Sequence, residues 1–250
     1  QGVRLEKSYE NIRGQWSGIA IDQESKGNIF EFTLIKNNLV GIYIDSLAEC
    51  VLKNCIIKNN TYSGIIGSSA NIQAENCLFY NQGQESIAMS TGGVGKFEYC
   101  TFANYGNDKP AVFLSNNRCE DFPTCFDIRR NDLYSEFSNC IIAGSNEDEL
   151  DLDSLDGAKF DLKFKNCIFK IKDLLGVKKY PYFISTYTND CIQILNSDKL
   201  FKDISKDDFH LDTLSVANGK ALVLPRIMTD LELKARDAVN PDMGCYEYLQ

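Results

Sequence analysis

The sequence is poor in histidine and lacks several patterns that would indicate a metal or redox site. Its 250 residues include one histidine, His210, and its ten cysteines form no Cys-X-X-Cys pair. A zinc site built from cysteine and histidine ligands is therefore not expected. His210 lies in the phrase DDFHL (207–211), where we interpret it as structural.

A surplus of positive charge is also missing. The formal net charge is −9 and the sequence pI is about 4.8. The chain therefore lacks the excess positive charge that binds nucleic acid or an anionic membrane surface. It would also repel a polyanionic glycan unless a bridging cation or a local basic patch intervened. No apolar run approaches the roughly 20 residues that a membrane-spanning helix needs, and no signal peptide opens the sequence.

A repeat with a period near 22 residues organises the chain. Each period contains two short β-branched runs bounded by glycine, asparagine or serine, which tolerate sharp turns. One column of the repeat is Thr33, Cys55, Cys77, Cys100, Cys140 and Cys167; another is Ile19, Ile42, Ile65 and Ile87. If each period makes one coil, stacked coils pair each strand with its copy and form parallel sheets without covering helices.

Alternation within the second run assigns each side chain to a face. Cysteine and the aromatic or isoleucine two positions later are predicted to point inward, where a free cysteine packs as a small apolar residue; redox or metal chemistry is the alternative. A mostly apolar stripe then faces outward: Leu34, Ile56, Leu78, Thr101, Ile141 and Ile168. Contiguous apolar surface often marks an interface, so we expect a partner or the chain's own tail to cover this stripe.

Two insertions interrupt the repeat, at 116–135 and 144–160. The first contains Cys119 and Cys125, whose spacing permits a local disulfide and hence an oxidising compartment. It also carries the candidate recognition residues Asp127, Arg129, Arg130 and Tyr134. Loops on rigid scaffolds often carry function, although a solvated, salt-bridged loop fits the same residues.

The second insertion is acidic and offers candidate metal ligands, whereas candidate sugar-binding aromatics lie on the strands. Asp151, Asp153 and Asp156 are weak candidates for Ca²⁺ ligands, but they lack EF-hand spacing, and a solvated acidic loop is the alternative. No other cofactor is predicted. Tyr43 and Phe113 are predicted to face outward, where they would stack on sugar rings or serve as ordinary surface aromatics. The redox states of Cys50, Cys191 and Cys245 are left open.

Three phrases resemble exported right-handed parallel β-helix proteins of the pectate-lyase-like superfamily, from the subgroup common in glycan-foraging Gram-negative bacteria. They are RGQWSGIAI (13–21), the N-C-x-[IF]-x-N repeat, and a tail made of 198–221 and TDLELKARDAVNPDMGCYEY (229–248). The resemblance implies an all-β, right-handed, single-stranded parallel β-helix over 1–197 with a tail or cap over 198–250. It also implies a lipoprotein-type surface location, outer-membrane or periplasmic, and further coils upstream of Gln1.

The resemblance leaves two classes of function open. The superfamily contains lyases and hydrolases of acidic polysaccharides, but the outward strand positions show no carboxylate cluster, and the hydrolase motifs with paired aspartates and Gly-His-Gly are absent. We therefore expect a non-catalytic binding or scaffold protein of the cell envelope, whose partner is a surface glycan or an outer-membrane protein complex. The alternative is a polysaccharide lyase or glycosidase, for which Ca²⁺ dependence is the discriminating property.

Overall fold

The computed structural model describes residues 9–176 and 180–248. The N-terminal segment that begins with Gln1 lies outside these ranges. The chain forms an all-β parallel solenoid of about seven turns, about 23 residues apart, which confirms the predicted fold class. The described residues contain little helix, mainly α1 (Asp173–Gly176), α2 (Phe183–Tyr187) and a 3-10 turn at Ile204–Lys206. In the part of the chain that the structure covers, no helix has the length and apolarity to cross a membrane.

Each coil contributes strands to three faces. The first face contains β1 (Ile19–Ile21), β4 (Ile42–Ile44), β11 (Val112–Ser115), β16 (Leu150–Asp153) and the starts of β7 (Ile65–Glu75) and β9 (Ile87–Glu98). The second face contains β2 (Asn28–Glu31), β5 (Glu49–Lys53), β14 (Leu133–Ser138), β17 (Phe160–Lys165), β19 (Thr188–Asn189) and the ends of β7 and β9. The third face contains β3 (Leu34–Lys36), β6 (Ile56–Lys58), β8 (Leu78–Tyr80), β10 (Thr101–Asn104), β15 (Ile141–Gly144), β18 (Ile168–Phe169) and β20 (Ile192–Gln193).

Two antiparallel hairpins stand outside these faces. One consists of β12 (Asn117–Cys119) and β13 (Ile128–Arg130), and the other of β21 (Phe201–Asp203) and β22 (Asp208–Leu211). The first lies between the first and second faces of one coil, and the second opens the tail. Both insertions are shorter than predicted, because β14 includes 133–135 and β16 lies within 144–160; these segments pair with neighbouring coils.

The interior is a stack of like residues in register. The predicted inward column is buried, and its thiols lie 3.2–3.5 Å from backbone carbonyls, as for Cys100 and Ala74 O. Phenylalanine rings stack beside it, with centroids 4.6 Å apart for Phe97 and Phe137 and 4.9 Å for Phe137 and Phe164. The cysteine column therefore packs as part of the core, and it contains no disulfide.

The turn from the second to the third face uses the residue that precedes each core cysteine, which is asparagine in four coils and Tyr99 before Cys100. Asn54, Asn76, Asn139 and Asn166 have φ between 46° and 57°, a left-handed conformation that asparagine adopts more readily than most residues. Asn54, for example, directly follows β5. A second asparagine column, Asn37, Asn59, Asn81 and Asn104, lies at or directly after the ends of the third-face strands, and within it Asn59 donates to Asn37 at 2.6 Å.

The tail runs back along the left-handed asparagines, from the last coils towards the first. Their side-chain amides donate to tail carbonyls in order: Asn166 to Lys220 (3.2 Å), Asn139 to Leu222 (2.8 Å), Asn76 to Thr229 (2.9 Å) and Asn54 to Asp230 (2.9 Å). Each asparagine thus turns the coil and also holds the tail. The tail packs over the third face as a second apolar cluster beside the main core.

Candidate binding site

The β12–β13 hairpin is held in shape near its tip. Cys119 and Cys125 form a disulfide. The Asp121 carboxylate accepts hydrogen bonds from the Thr124 hydroxyl (2.6 Å) and the Asp127 backbone N–H (2.9 Å). These hydrogen bonds, led by that from Thr124, lower the pKa of Asp121. The disulfide and the hydrogen bonds to Asp121 therefore both fix the conformation of the tip.

Two large aromatic side chains project from this tip. Phe122 and Phe126 are 84% and 92% exposed, the two highest values among the exposed large hydrophobic residues that the structure describes. Isolated apolar side chains are common on protein surfaces. Phe122 lies within the disulfide-closed loop and Phe126 directly follows it, so together they present a preformed apolar protrusion.

The predicted recognition residues divide between this hairpin and the solenoid. Asp127, Arg129 and Arg130 are exposed on the hairpin. Arg129 lies 3.9 Å from Glu120, whose closer partner is Arg118 at 2.9 Å. Tyr134, predicted to lie in the loop, belongs to β14, so only the first three residues share the hairpin.

Tyr134 lines a groove on the outer side of the second face. The groove encloses about 210 Å³, and its remaining lining residues are Val94, Gly95, Lys96, Ser135, Glu136, Asp161 and Lys163. Strand register stacks Val94, Tyr134 and Asp161 in one column. Lys96, Glu136 and Lys163 stack in the next. We call this surface the polar groove.

The polar groove combines an aromatic ring with charges of both signs. The Tyr134 hydroxyl lies 3.1 Å from Asp132 Oδ2, and Lys159 Nζ lies 5.7 Å from the ring centroid. Glu136 Oε1 accepts from Lys165 Nζ at 2.9 Å, and this contact, ahead of other nearby lysines, lowers the pKa of Glu136. The carboxylate is thus held ionised beside lysines. Such a surface offers stacking, hydrogen-bond donors and hydrogen-bond acceptors to a polyhydroxylated ligand.

The two aromatics predicted on the first face lie apart from the polar groove. Tyr43 is 38% exposed in β4, and Phe113 is half-buried in β11. Phe113 stacks between Ala88 and Asp151 of neighbouring coils, whereas Tyr43 stacks between Ala20 and Ile66. Each therefore occupies the same outward column of the first face, two or more coils from the other.

The acidic residues proposed as calcium ligands do not share one loop. Asp151 and Asp153 belong to β16, and Asp156 follows in a turn. Asp153 Oδ2 accepts a hydrogen bond from Asn117 Nδ2 at 3.1 Å. Across 9–176 and 180–248, no group of three or more histidine, cysteine, aspartate or glutamate side chains is placed to hold a metal ion.

The tail covers most of the predicted outward stripe. Leu78, Thr101, Ile141 and Ile168 are at most 2% exposed, and the three aliphatic side chains belong to the same cluster as Leu200, Phe209 and Cys245 of the tail. Ile56 is half-buried, whereas Leu34 remains 52% exposed. The stripe is thus largely an internal interface. His210 lies in the tail too, 2.6 Å from Asp208 and stacked on Tyr246 with a centroid distance of 4.0 Å.

Sequence reasoning did not find Lys96, Glu136, Asp161 and Lys163. For Glu136, Asp161 and Lys163 the signal is period-2 alternation in LYSEFS (133–138) and FDLKFK (160–165), where polar residues alternate with buried ones, and Lys96 follows the same alternation in β9. The two columns of the repeat correspond to the first and third faces, so they give no alignment for the outward positions of the second face.

The fold and the comparison with protein families indicate the same class of protein, a right-handed parallel β-helix. The chain matches the family model described as "Right handed beta helix region" over residues 17–178, more than half its length. It therefore belongs to the right-handed β-helix family. No curated protein and no solved structure matches it.

Proposed function

We propose that this protein is a non-catalytic glycan-binding protein of the cell envelope. The observation that carries the proposal is the polar groove, where Tyr134 lies beside Lys96, Glu136, Asp161 and Lys163 on rigid, in-register strands. Its two lysines balance its two carboxylates, so the groove is locally neutral on an acidic chain, which reduces the repulsion expected for an acidic sugar polymer. Neighbouring coils repeat along the solenoid axis, so an extended oligosaccharide is a natural ligand.

A binding role fits the groove's acid–base properties better than hydrolysis does. A glycosidase needs one carboxylic acid whose pKa is raised so that it protonates the leaving group. In the groove, Lys165 lowers the pKa of Glu136 instead. The pKa values of Glu149, Asp242 and Glu247 are raised, mainly by burial, but these side chains do not line the groove.

We further propose that the protein is exported to the periplasm or outer surface of a Gram-negative cell. The disulfide on the exposed hairpin supports this, because such bonds persist in oxidising compartments. The resemblance to surface lipoproteins of the pectate-lyase-like superfamily points to the same location.

The test is binding to a panel of neutral and acidic polysaccharides. We expect Tyr134→Ala to weaken binding of the best ligand about tenfold, the typical loss of a stacking contact worth about 1.4 kcal/mol. Tyr62→Ala is the matched control, because Tyr62 is 47% exposed and lies outside the groove. Equal loss in both variants, or binding to no polysaccharide, would contradict the proposal.

The same panel separates binding from catalysis. The lyase or glycosidase alternative predicts chain cleavage, and the lyase predicts a Ca²⁺-dependent rise in melting temperature. Ligand recovered intact, with and without Ca²⁺, is the outcome expected for a binding protein.

The exposed hairpin tip favours a second role, docking to an outer-membrane protein. Phe122 and Phe126 would anchor in an apolar pocket of that partner, as buried aromatics do in many interfaces. The full-length protein, purified from its native envelope in mild detergent, should then bring one outer-membrane protein in near-equal amount. The Phe122→Ser/Phe126→Ser variant should lose that protein, whereas Tyr182→Ser, 73% exposed elsewhere, should retain it.

A further inference from the structure

A cavity lies between the third face and the start of the tail. It encloses about 410 Å³. Tyr105, Gly144 and Lys170 of the solenoid line one side, and the segment 194–205, which includes Lys199 and Lys202, lines the other. Its size is within the range of small-molecule sites. We call it the tail cavity.

Lys170 is a buried ammonium in the wall of the tail cavity. Its relative exposure is 5%. Nζ donates one hydrogen bond, to Gly144 O at 3.2 Å. Over the described ranges, no carboxylate lies within 4.0 Å of Nζ, whereas exposed lysines such as Lys26 and Lys206 do pair with carboxylates. An ammonium group has three donors, so Lys170 retains donor capacity beyond this bond.

The neighbouring carboxylate does not compensate this charge. Glu149 is fully buried, and its oxygens accept hydrogen bonds from the backbone N–H groups of Asn146 (2.6 Å) and Ala111 (2.9 Å). Burial is the main reason that its pKa rises to about 7, so at neutral pH it is ionised only part of the time. Lys170 acts on it as a nearby positive charge without forming an ion pair.

The other charged groups of the tail cavity do not pair with Lys170. Asp198 Oδ2 accepts from Leu195 N at 2.7 Å, and Asp203 caps the 3-10 turn and pairs with Lys206 at 2.7 Å. Lys199 and Lys202 add positive charge to the wall, with Lys202 3.7 Å from Asp208. A buried charge is costly unless it is paired. An anion in the cavity would supply the missing partner.

We propose that the tail cavity binds a small carboxylate, of the size and polarity of a single uronic acid, with Lys170 as the ligand-binding cation. The carboxylate would accept from Lys170 Nζ, while Tyr105 and the polar tail residues would face the hydroxyl groups. This site is distinct from the polar groove and goes beyond the proposed function, because it needs neither Tyr134 nor an extended polymer.

The probe is D-glucuronate, with D-glucose as its neutral counterpart, measured on the full-length protein by calorimetry and thermal shift. We expect glucuronate to bind and raise the melting temperature, and glucose to do neither. Lys170→Met should weaken glucuronate binding at least tenfold, and Lys170→Arg should retain part of it. Lys26→Met is the matched control, since Lys26 is exposed and pairs with Glu49 in the first coils.

Two further binding measurements test the need for a negative charge and the separation of this site from the polar groove. Glucuronamide, which lacks the charge but keeps the shape, tests the need for an anion without any variant and should not bind. Tyr134→Ala should bind glucuronate as the wild type does, which separates this site from the polar groove. Equal binding of glucuronate by Lys170→Met, equal binding of glucuronamide, or no binding of glucuronate by the wild type would each overturn the proposal.

Discussion

Glu149 makes the stability of the fold depend on pH. Its folded pKa, about 7, lies above its ordinary value of 4.5, mainly because burial disfavours the charged form. The folded state therefore binds the proton more tightly than the unfolded state. This contribution to stability is fully present below pH 4.5 and is lost as the pH rises through 7. Its full size is about 3 kcal/mol.

We therefore expect Glu149→Gln to flatten the change in unfolding free energy between pH 4.5 and pH 7.5, measured by urea denaturation. Other buried carboxyls, such as Asp242, titrate in both proteins, so the difference between the two curves isolates Glu149. Parallel curves for wild type and variant would show that Glu149 does not titrate in this range.

The free cysteines should be unreactive in the folded protein. Burial raises the pKa of Cys77 and Cys100 well above the ordinary value, and that of Cys50 and Cys245 to about 12. Thiolate is the reactive form, so alkylation at pH 8 should be slow. A hydrogen bond with Cys167 raises the pKa of Cys191 as well, but Cys191 is only half-buried, so its exposure should make it react first among the eight free cysteines. Mass spectrometry after iodoacetamide treatment, with urea-unfolded protein as the control, measures this order.

At the scale of the element, one asparagine performs two tasks. Asn139 has φ of 57°, and its side chain both donates to Leu222 O (2.8 Å) and accepts from Leu222 N (2.7 Å). Glycine would keep the left-handed turn but lose the contact with the tail. Alanine would lose both.

We expect Asn139→Gly to lower the unfolding free energy by about 1–2 kcal/mol and Asn139→Ala by about 3 kcal/mol, since a left-handed alanine costs a further 1–2 kcal/mol. Chemical denaturation of both variants measures the difference. Equal losses would mean that the turn conformation contributes little, and a neutral Asn139→Gly would mean that the tail contact contributes little.

At the scale of the whole molecule, Arg236 fastens the tail to the solenoid. It is 8% exposed and donates to Glu247 (3.2 Å) and Asn76 (2.9 Å), with its guanidinium 3.8 Å from the centre of the Tyr99 ring. Removing it would leave the buried Glu247 carboxylate without its cation. Arg226 also joins tail to solenoid, through Glu75 and Glu98, but is 48% exposed.

Arg236→Ala should lower the unfolding free energy by about 3–5 kcal/mol, the usual cost of breaking a buried ion pair. Arg226→Ala should cost under about 1 kcal/mol because its charges are screened by water. Hydrogen exchange should also quicken over 220–248 and over the covered strands β10 and β15 in Arg236→Ala. Similar losses in the two variants would show that burial of Arg236 does not set its contribution.

Much of the fold follows from the repeat. The column Cys55, Cys77 and Cys100 falls at steps of 22 and 23 residues, and a near-constant step with period-2 alternation indicates a stack of in-register coils with one face inward. The candidate site was less accessible to this reasoning. The hairpin inserted before Tyr134 breaks the 22-residue spacing, so the repeat places Tyr134 in a loop. In the structure its strand pairs with β9 and β17.

The sequence by itself determined the solenoid, its inward cysteine column and the outward apolar stripe, because each depends only on spacing along the chain. Only the tertiary structure decided what covers the stripe. The tail's path depends on contacts between residues more than 50 positions apart, such as Asn166 with Lys220 and Asn139 with Leu222. The polar groove and the tail cavity are likewise tertiary, because they form from side chains of several coils, or of a coil and the tail, and no local pattern encodes their approach.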